Sequence, residues 1–126
     1  VAGDYDNVGE IPMIDETTAT RPGNLYASTK VFGESIARRY AYEHDMSVIS
    51  LRIGWASEVD RAENARQISV FNSRRDVVQA IERSLTAELA EEYDVFFILS
   101  NNRWGYRNIE HARQVLGYEP QDSADE

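Results

Sequence analysis

Cysteine is absent from the 126-residue chain. That excludes a disulfide framework and a cysteine metal site. Lysine is almost absent: Lys30 stands alone against twelve arginines. No apolar run approaches the length of a membrane span, and no basic-then-apolar leader is visible, so a soluble, cytoplasmic protein without a membrane partner is expected. Positive charge is short overall, with 13 Lys and Arg against 22 Asp and Glu and a net charge of −9. Such a field disfavours nucleic acid and anionic membranes. An acidic surface nearly free of lysine also suits a high-salt solvent, in which charge repulsion is screened; a GC-rich codon bias would give the same exchange of lysine for arginine.

The chain is long enough for one domain with a core and too short for two ordinary ones. Residues 1–24 hold Gly3, Gly9, Pro12, Pro22 and Gly23 without a sustained period and read as loop. A helix is expected from Asn24 or Leu25 to His44–Asp45, with Leu25, Phe32, Ile36 and Tyr40 near one face. Val48, Ile49, Leu51 and Ile53, closed by Gly54, suit a strand buried on both faces, as in a parallel sheet. Residues 55–72 lack periodicity and read as a long loop. Ser73 with Asp76 three residues on starts the clearest helix, striped by Val77, Val78, Ile81, Leu85 and Leu89. "DVFFILS" reads as a second buried strand. A last helix is expected with Asn108 as N-cap, Ile109, Ala112 and Leu116 facing inward, Gly117 as the stop and Pro120 beyond. The final "QDSADE" reads as a frayed end. Strands alternating with helices argue an α/β protein with a parallel sheet. Two strands make a poor sheet by themselves, so part of a larger fold is expected to be missing.

Tyr26 and Lys30 are four apart and so share a helix face, one turn from each other. A phenol is a poor base at neutral pH; a neighbouring ammonium favours its phenolate, which general acid–base catalysis can use. Lys30 could also donate hydrogen bonds to a sugar hydroxyl. Seven tyrosines in 126 positions give this spacing a chance of roughly one in eighteen, so the neighbourhood has to decide.

That neighbourhood, "RPGNLYASTKVFGE", resembles the Tyr-x-x-x-Lys segment of the extended short-chain dehydrogenase/reductase family, also called the NAD-dependent epimerase/dehydratase family. Pro22, Tyr26, Ala27, Ser28, Lys30 and Glu34 carry the likeness. "VISLRIG" and "LGYEP" resemble later family segments in the same order. "RIG" at 52–54, "FNSRRD" at 71–76 and "LSNNRW" at 99–104 are most similar to uronate and hexose dehydrogenases. The resemblance implies the C-terminal portion of a Rossmann-like, doubly wound parallel sheet, a single partial domain over 1–126. It implies NAD or NADP as cofactor of the intact enzyme and a sugar or sugar acid as substrate. Tyr26 would exchange a proton with the sugar hydroxyl, and Lys30 would hold both the phenolate and the ribose. Ile53 and Gly54 would approach the nicotinamide. Arg66 would grip a carboxylate or phosphate, and Asn102 and Arg103 fall in a substrate-side segment. Trp55 stands where these relatives often have serine, which leaves the sugar open. His44 and His111 match no role and read as surface groups, and no metal-ligand cluster stands out.

A dinucleotide site needs a Gly-rich turn between a strand and a helix, and this sequence has none. The family's catalytic serine or threonine precedes a segment like the opening "VAG". The chain is therefore expected to be a fragment that is inactive by itself. Two alternatives stay open: a nucleotide-sugar epimerase or dehydratase of the same family, and a non-catalytic oligomerising remnant. The family commonly forms homo-oligomers through the Tyr-x-x-x-Lys helix.

Overall fold

The computed structural model describes residues 12–124; Gly3, Gly9 and the opening "VAG" lie outside them. Helix α1 spans Leu25–His44. Asn24 is extended and its side chain accepts the Ala27 N–H at 2.8 Å, which satisfies one of the donors every helix start leaves without a partner. The helix stops at Asp45, left-handed with φ 51°, a conformation Asp tolerates better than most residues. Strand β1, Val48–Ile53, follows. The chain then makes a crossover through α2 (Ala65–Val70) and α3 (Arg74–Thr86) before strand β2, Tyr93–Ile98. The strands pair in parallel, from Val48 opposite Tyr93 to Ile53 opposite Ile98. Helix α4, Glu110–Leu116, closes the order.

The core lies on one face of this sheet. Ala80 of α3, Phe96 and Ile98 of β2, Ala112 and Leu116 of α4, and Tyr118 are buried together, with Ile49, Leu51 and Leu89 packed against them. β1 is only half-buried, and Ile53 is exposed. The expectation of a strand covered on both faces therefore holds for the end of β2 and not for β1, which pairs with one neighbour among the described residues.

The other sheet face meets α1 through polar groups. Arg52 reaches Glu34 with a two-pronged contact, Nε to Oε1 at 2.7 Å and Nη2 to Oε2 at 2.8 Å. The Arg38 guanidinium lies 5.0 Å from the Tyr93 ring centre, and the Tyr93 hydroxyl donates to Ser50 at 3.1 Å. Ala27, Val31, Glu34, Ala37 and Ala41 are the half-buried or buried positions of α1. The expected apolar stripe points away: Leu25, Phe32, Ile36 and Tyr40 are 82%, 67%, 39% and 52% exposed. α3 repeats the inversion. It buries Asp76 and Ala80 and exposes Val78, Ile81 and Leu85. Hydrophobic spacing located both helices, but the faces turned to the sheet carry small or hydrogen-bonded residues.

Two further expectations change. The loop over 55–72 contains α2, whose N-cap Asn64 accepts the Gln67 N–H at 3.0 Å while the Gln67 side chain accepts from Glu63 N–H at 2.7 Å. This is an N-terminal capping pattern, and Asn64 followed by Gln67 was its visible signal. The chain end is also tied down through Ala124. Buried Asp76 accepts the N–H groups of Gln121 at 2.7 Å and Asp122 at 3.2 Å, and takes the Ser100 hydroxyl at 2.5 Å. Gln79 exchanges two bonds with the Glu119 backbone, each 2.7 Å. The Arg75 hydrogen bonds to Asp122, followed by one from Ser73, lower the Asp122 carboxyl from its ordinary value. Ser73 caps α3 as expected, at 3.2 Å from Asp76 N. The α4 signals also hold at its C-terminus: Gly117 is left-handed with φ 67°, and the N–H groups of Gly117 and Tyr118 return to Arg113 and Ala112. At its start, Asn108 accepts from Glu110 N–H at 2.8 Å, while Ile109 occupies the cap position itself.

Candidate active site

A cavity of about 470 Å³ opens at the carboxyl end of β1. Ile53, Gly54 and Trp55 form its sheet side, Asn64, Arg66, Gln67 and Val70 its α2 side, and Arg52, Phe97, Tyr106 and Arg107 complete the lining. Gly54 makes this arrangement possible. Its N–H continues the ladder to Ile98 C=O at 3.0 Å, and the next residue, Trp55, donates to Val70 C=O. A Cβ on Gly54 would lie 2.2 Å from the Val70 carbonyl oxygen, closer than any side chain allows. The short bridge between Trp55 and Phe71 then holds the end of α2 beside the strand.

The lining is cationic. Its described residues include three arginines and no carboxylate. Arg52 is engaged by Glu34, whose hydrogen bonds raise the guanidinium further above its ordinary value. Arg66 sits on α2, not on a loop, and is exposed. Arg107 was not singled out in the sequence. Its backbone is fixed by the bridge to Ile14, its guanidinium lies 4.6 Å from the Tyr106 ring centre, and its Nη1 is buried without a hydrogen-bond partner among the described residues. No periodicity marks such a residue; only the fold brings it to the cavity.

Tyr26 and Lys30 lie on the first two turns of α1, with the Lys30 ammonium 5.2 Å from the Tyr26 ring centre. Tyr26 is 70% exposed. Neither residue lines the cavity that gathers Ile53, Gly54 and Arg66. A shallower groove of about 350 Å³ runs from Ala27 and Val31 on α1 to Arg52, Phe97 and Arg107, three residues it shares with the cavity. Asn102 stands apart from both. Its amide donates to Phe71 C=O at 2.8 Å and accepts from Ala124 N–H at 3.1 Å, so it ties the crossover to the chain end. Arg103 is exposed beside Trp104, 5.3 Å from that ring centre. His111 is not a simple surface group: it stacks on Phe96 at 4.7 Å and contacts both Asp94 oxygens at 2.9 Å.

A parallel α/β sheet with a cavity outside the carboxyl ends of its strands is the arrangement in which nucleotide-dependent enzymes place their ligands. Residues 2–56 match the family model described as the NAD dependent epimerase/dehydratase family. The chain is 36% identical over 114 residues to an NAD-dependent glucose-6-phosphate dehydrogenase of Haloferax volcanii, covering 90% of this chain and 43% of the relative. It is 32% identical over 112 residues to a uronate dehydrogenase of Pseudomonas putida, covering 89% and 40%. Among solved structures, a glucuronic acid dehydrogenase from Chromohalobacter salexigens superposes with TM-score 0.81 at 27% identity, covering 90% of this chain and 41% of that one. A uronate dehydrogenase variant from Agrobacterium tumefaciens complexed with NAD gives 0.81 at 28%, covering 90% and 42%. The chain matches the NAD-dependent epimerase/dehydratase family over residues 2–56 and is similar to sugar dehydrogenases over about nine tenths of its length. Its α/β fold superposes on about two fifths of each of those solved chains. It spans about two fifths of the length of the relatives it matches.

Proposed function

We propose that this chain forms the substrate side of an NAD(P)-dependent sugar dehydrogenase acting on an anionic sugar. The observation that carries the reading is the cationic cavity at the carboxyl end of β1, in a chain similar to dehydrogenases named for glucose 6-phosphate and uronate. Arg66 binds the anionic group of the sugar, for which a planar guanidinium is suited. The phenolate of Tyr26 takes the proton of the sugar hydroxyl as that carbon gives up hydride, and NAD or NADP supplies the hydride acceptor. Lys30 stabilises the phenolate and donates to a ribose hydroxyl. Asn102 and Arg103 belong to the same substrate side, Asn102 by holding the crossover segment in place.

The residues present fit one end of a dinucleotide. Gly54 lets backbone approach backbone at the strand end, and Ile53 offers an exposed apolar contact for the nicotinamide beside it. The sequence contains no Gly-rich strand-to-helix turn for the diphosphate. The chain alone is therefore expected to show no turnover, and fast NAD-linked oxidation of a sugar by it would overturn that part.

Calorimetric titration of the chain with glucose 6-phosphate, glucuronate and glucose tests the reading. Either anion should bind and neutral glucose should not, with Arg66→Met weakening the anion about tenfold, as expected for losing one charged hydrogen-bonding group. Equal affinity for charged and neutral sugars would sink it. The exposed stripe of α1 supports self-association of the chain through that helix. We place the intact protein in the cytoplasm; no described helix is long and apolar enough to cross a membrane.

A further inference from the structure

We propose that Arg107 is a second anion-binding residue of the cavity and that it sets the ligand's charge: a sugar phosphate in preference to a uronate. The inference rests on the cavity being the sugar site. Arg107 Nη1 is buried and has no hydrogen-bond partner among the described residues. Leaving a charged donor in that condition costs more than leaving a neutral one, and folded proteins rarely keep such groups without a partner. Nothing among the described residues relieves it. The guanidinium faces the Tyr106 ring, which leaves the nitrogen's donors unmet. Two backbone bonds hold the segment rigidly, Ile14 N–H to Tyr106 C=O at 2.8 Å and Asn108 N–H to Ile14 C=O at 2.7 Å.

The charge count decides what the site suits. Of the three arginines lining the cavity, Glu34 engages Arg52. Arg66 and Arg107 form no ion pair with any described residue, and no carboxylate stands among the described residues that line the cavity. Two uncompensated cations, on α2 and on the segment before α4, stand in a chain whose net charge is −9. A sugar carboxylate brings one negative charge. A phosphate monoester brings about 1.5 to 2 at neutral pH and three acceptor oxygens, enough for a guanidinium on each side.

The test uses the full chain with inorganic phosphate, glucose 6-phosphate and glucuronate, without nicotinamide cofactor, by calorimetry and by ligand-induced shift of the melting temperature. Phosphate and glucose 6-phosphate should bind at least about tenfold tighter than glucuronate. Arg107→Met should erase that preference and the phosphate-induced shift, while Arg107→Lys, which keeps the charge, retains part of both. A residue with only a structural role would lower the melting temperature without touching the preference. The inference is overturned if glucuronate binds as tightly as the phosphates, or if Arg107→Met binds them like the unaltered chain; in both cases loss of anion binding in Arg66→Met leaves the sugar dehydrogenase reading standing. Binding of none of the three probes by the folded chain overturns the inference and the anionic cavity together.

Discussion

Gly54 and Gly33 show how differently one residue type is used. At Gly54 an added Cβ meets the Val70 carbonyl oxygen at 2.2 Å and carbon at 3.2 Å, with Leu99 Cγ at 3.3 Å. The nearest obstacle is backbone, so the crossover itself has to move. Gly54→Ala should destabilise the chain by about 1–3 kcal/mol, the usual cost of overpacking, and should disturb the cavity. Gly33 lies mid-helix in α1 with nothing within 4 Å of the added atom. Gly33→Ala should stabilise by about 0.5–1 kcal/mol, because Ala loses less backbone freedom in a helix. Urea unfolding measures both, and effects of the same sign would contradict the packing described. The sequence marks Gly54 only as the end of a β-branched run. What makes it irreplaceable is a contact with a residue sixteen positions on, which no local pattern contains.

At the scale of elements, most of what was legible came from chain-local chemistry. Asn24, Ser73 and Gly117 cap or stop helices by bonds to residues within five positions, and such signals survive in sequence. The nearness of Tyr26 and Lys30 on one helix face was legible for the same reason. The facing of α1 and α3 was not, because periodicity reports an apolar face without saying what covers it. On α1 the sheet takes Ala41 and the Glu34–Arg52 pair, leaving Leu25, Phe32, Ile36 and Tyr40 in the open. The proposed self-association through α1 would cover this face, since a second copy of the same helix offers the same complementary stripe. Phe32→Glu sets a charge in the middle of the stripe without touching the sheet side. Light scattering should find the unaltered chain self-associating and the variant shifted towards monomer. An unaltered chain that stays monomeric over a wide concentration range would rule this contact out.

For the whole molecule the governing quantity is the net charge of −9 on 126 residues. Like charges on a compact surface repel, and the repulsion falls away when the chain expands, so it works against folding. Salt shortens its reach from about 10 Å at 0.1 M to about 3 Å at 1 M. Screening also weakens ion pairs, but few here have much to lose. Arg39–Glu43 is exposed and Arg113–Glu110 is long at 3.6 Å, and such surface pairs contribute about 0–1 kcal/mol. Arg52–Glu34 is partly buried and screened less. Relief of repulsion should therefore outweigh the loss. The melting temperature in potassium chloride should rise most steeply below about 1 M, where the Debye length is still shrinking fast, and then level off. That shape separates charge screening from exclusion of salt by the protein surface, which keeps strengthening burial as concentration grows. A flat or falling curve below that concentration would mean that the scattered acidic residues are too far apart to repel, and would remove the physical basis for reading the lysine-poor surface as an adaptation to salt.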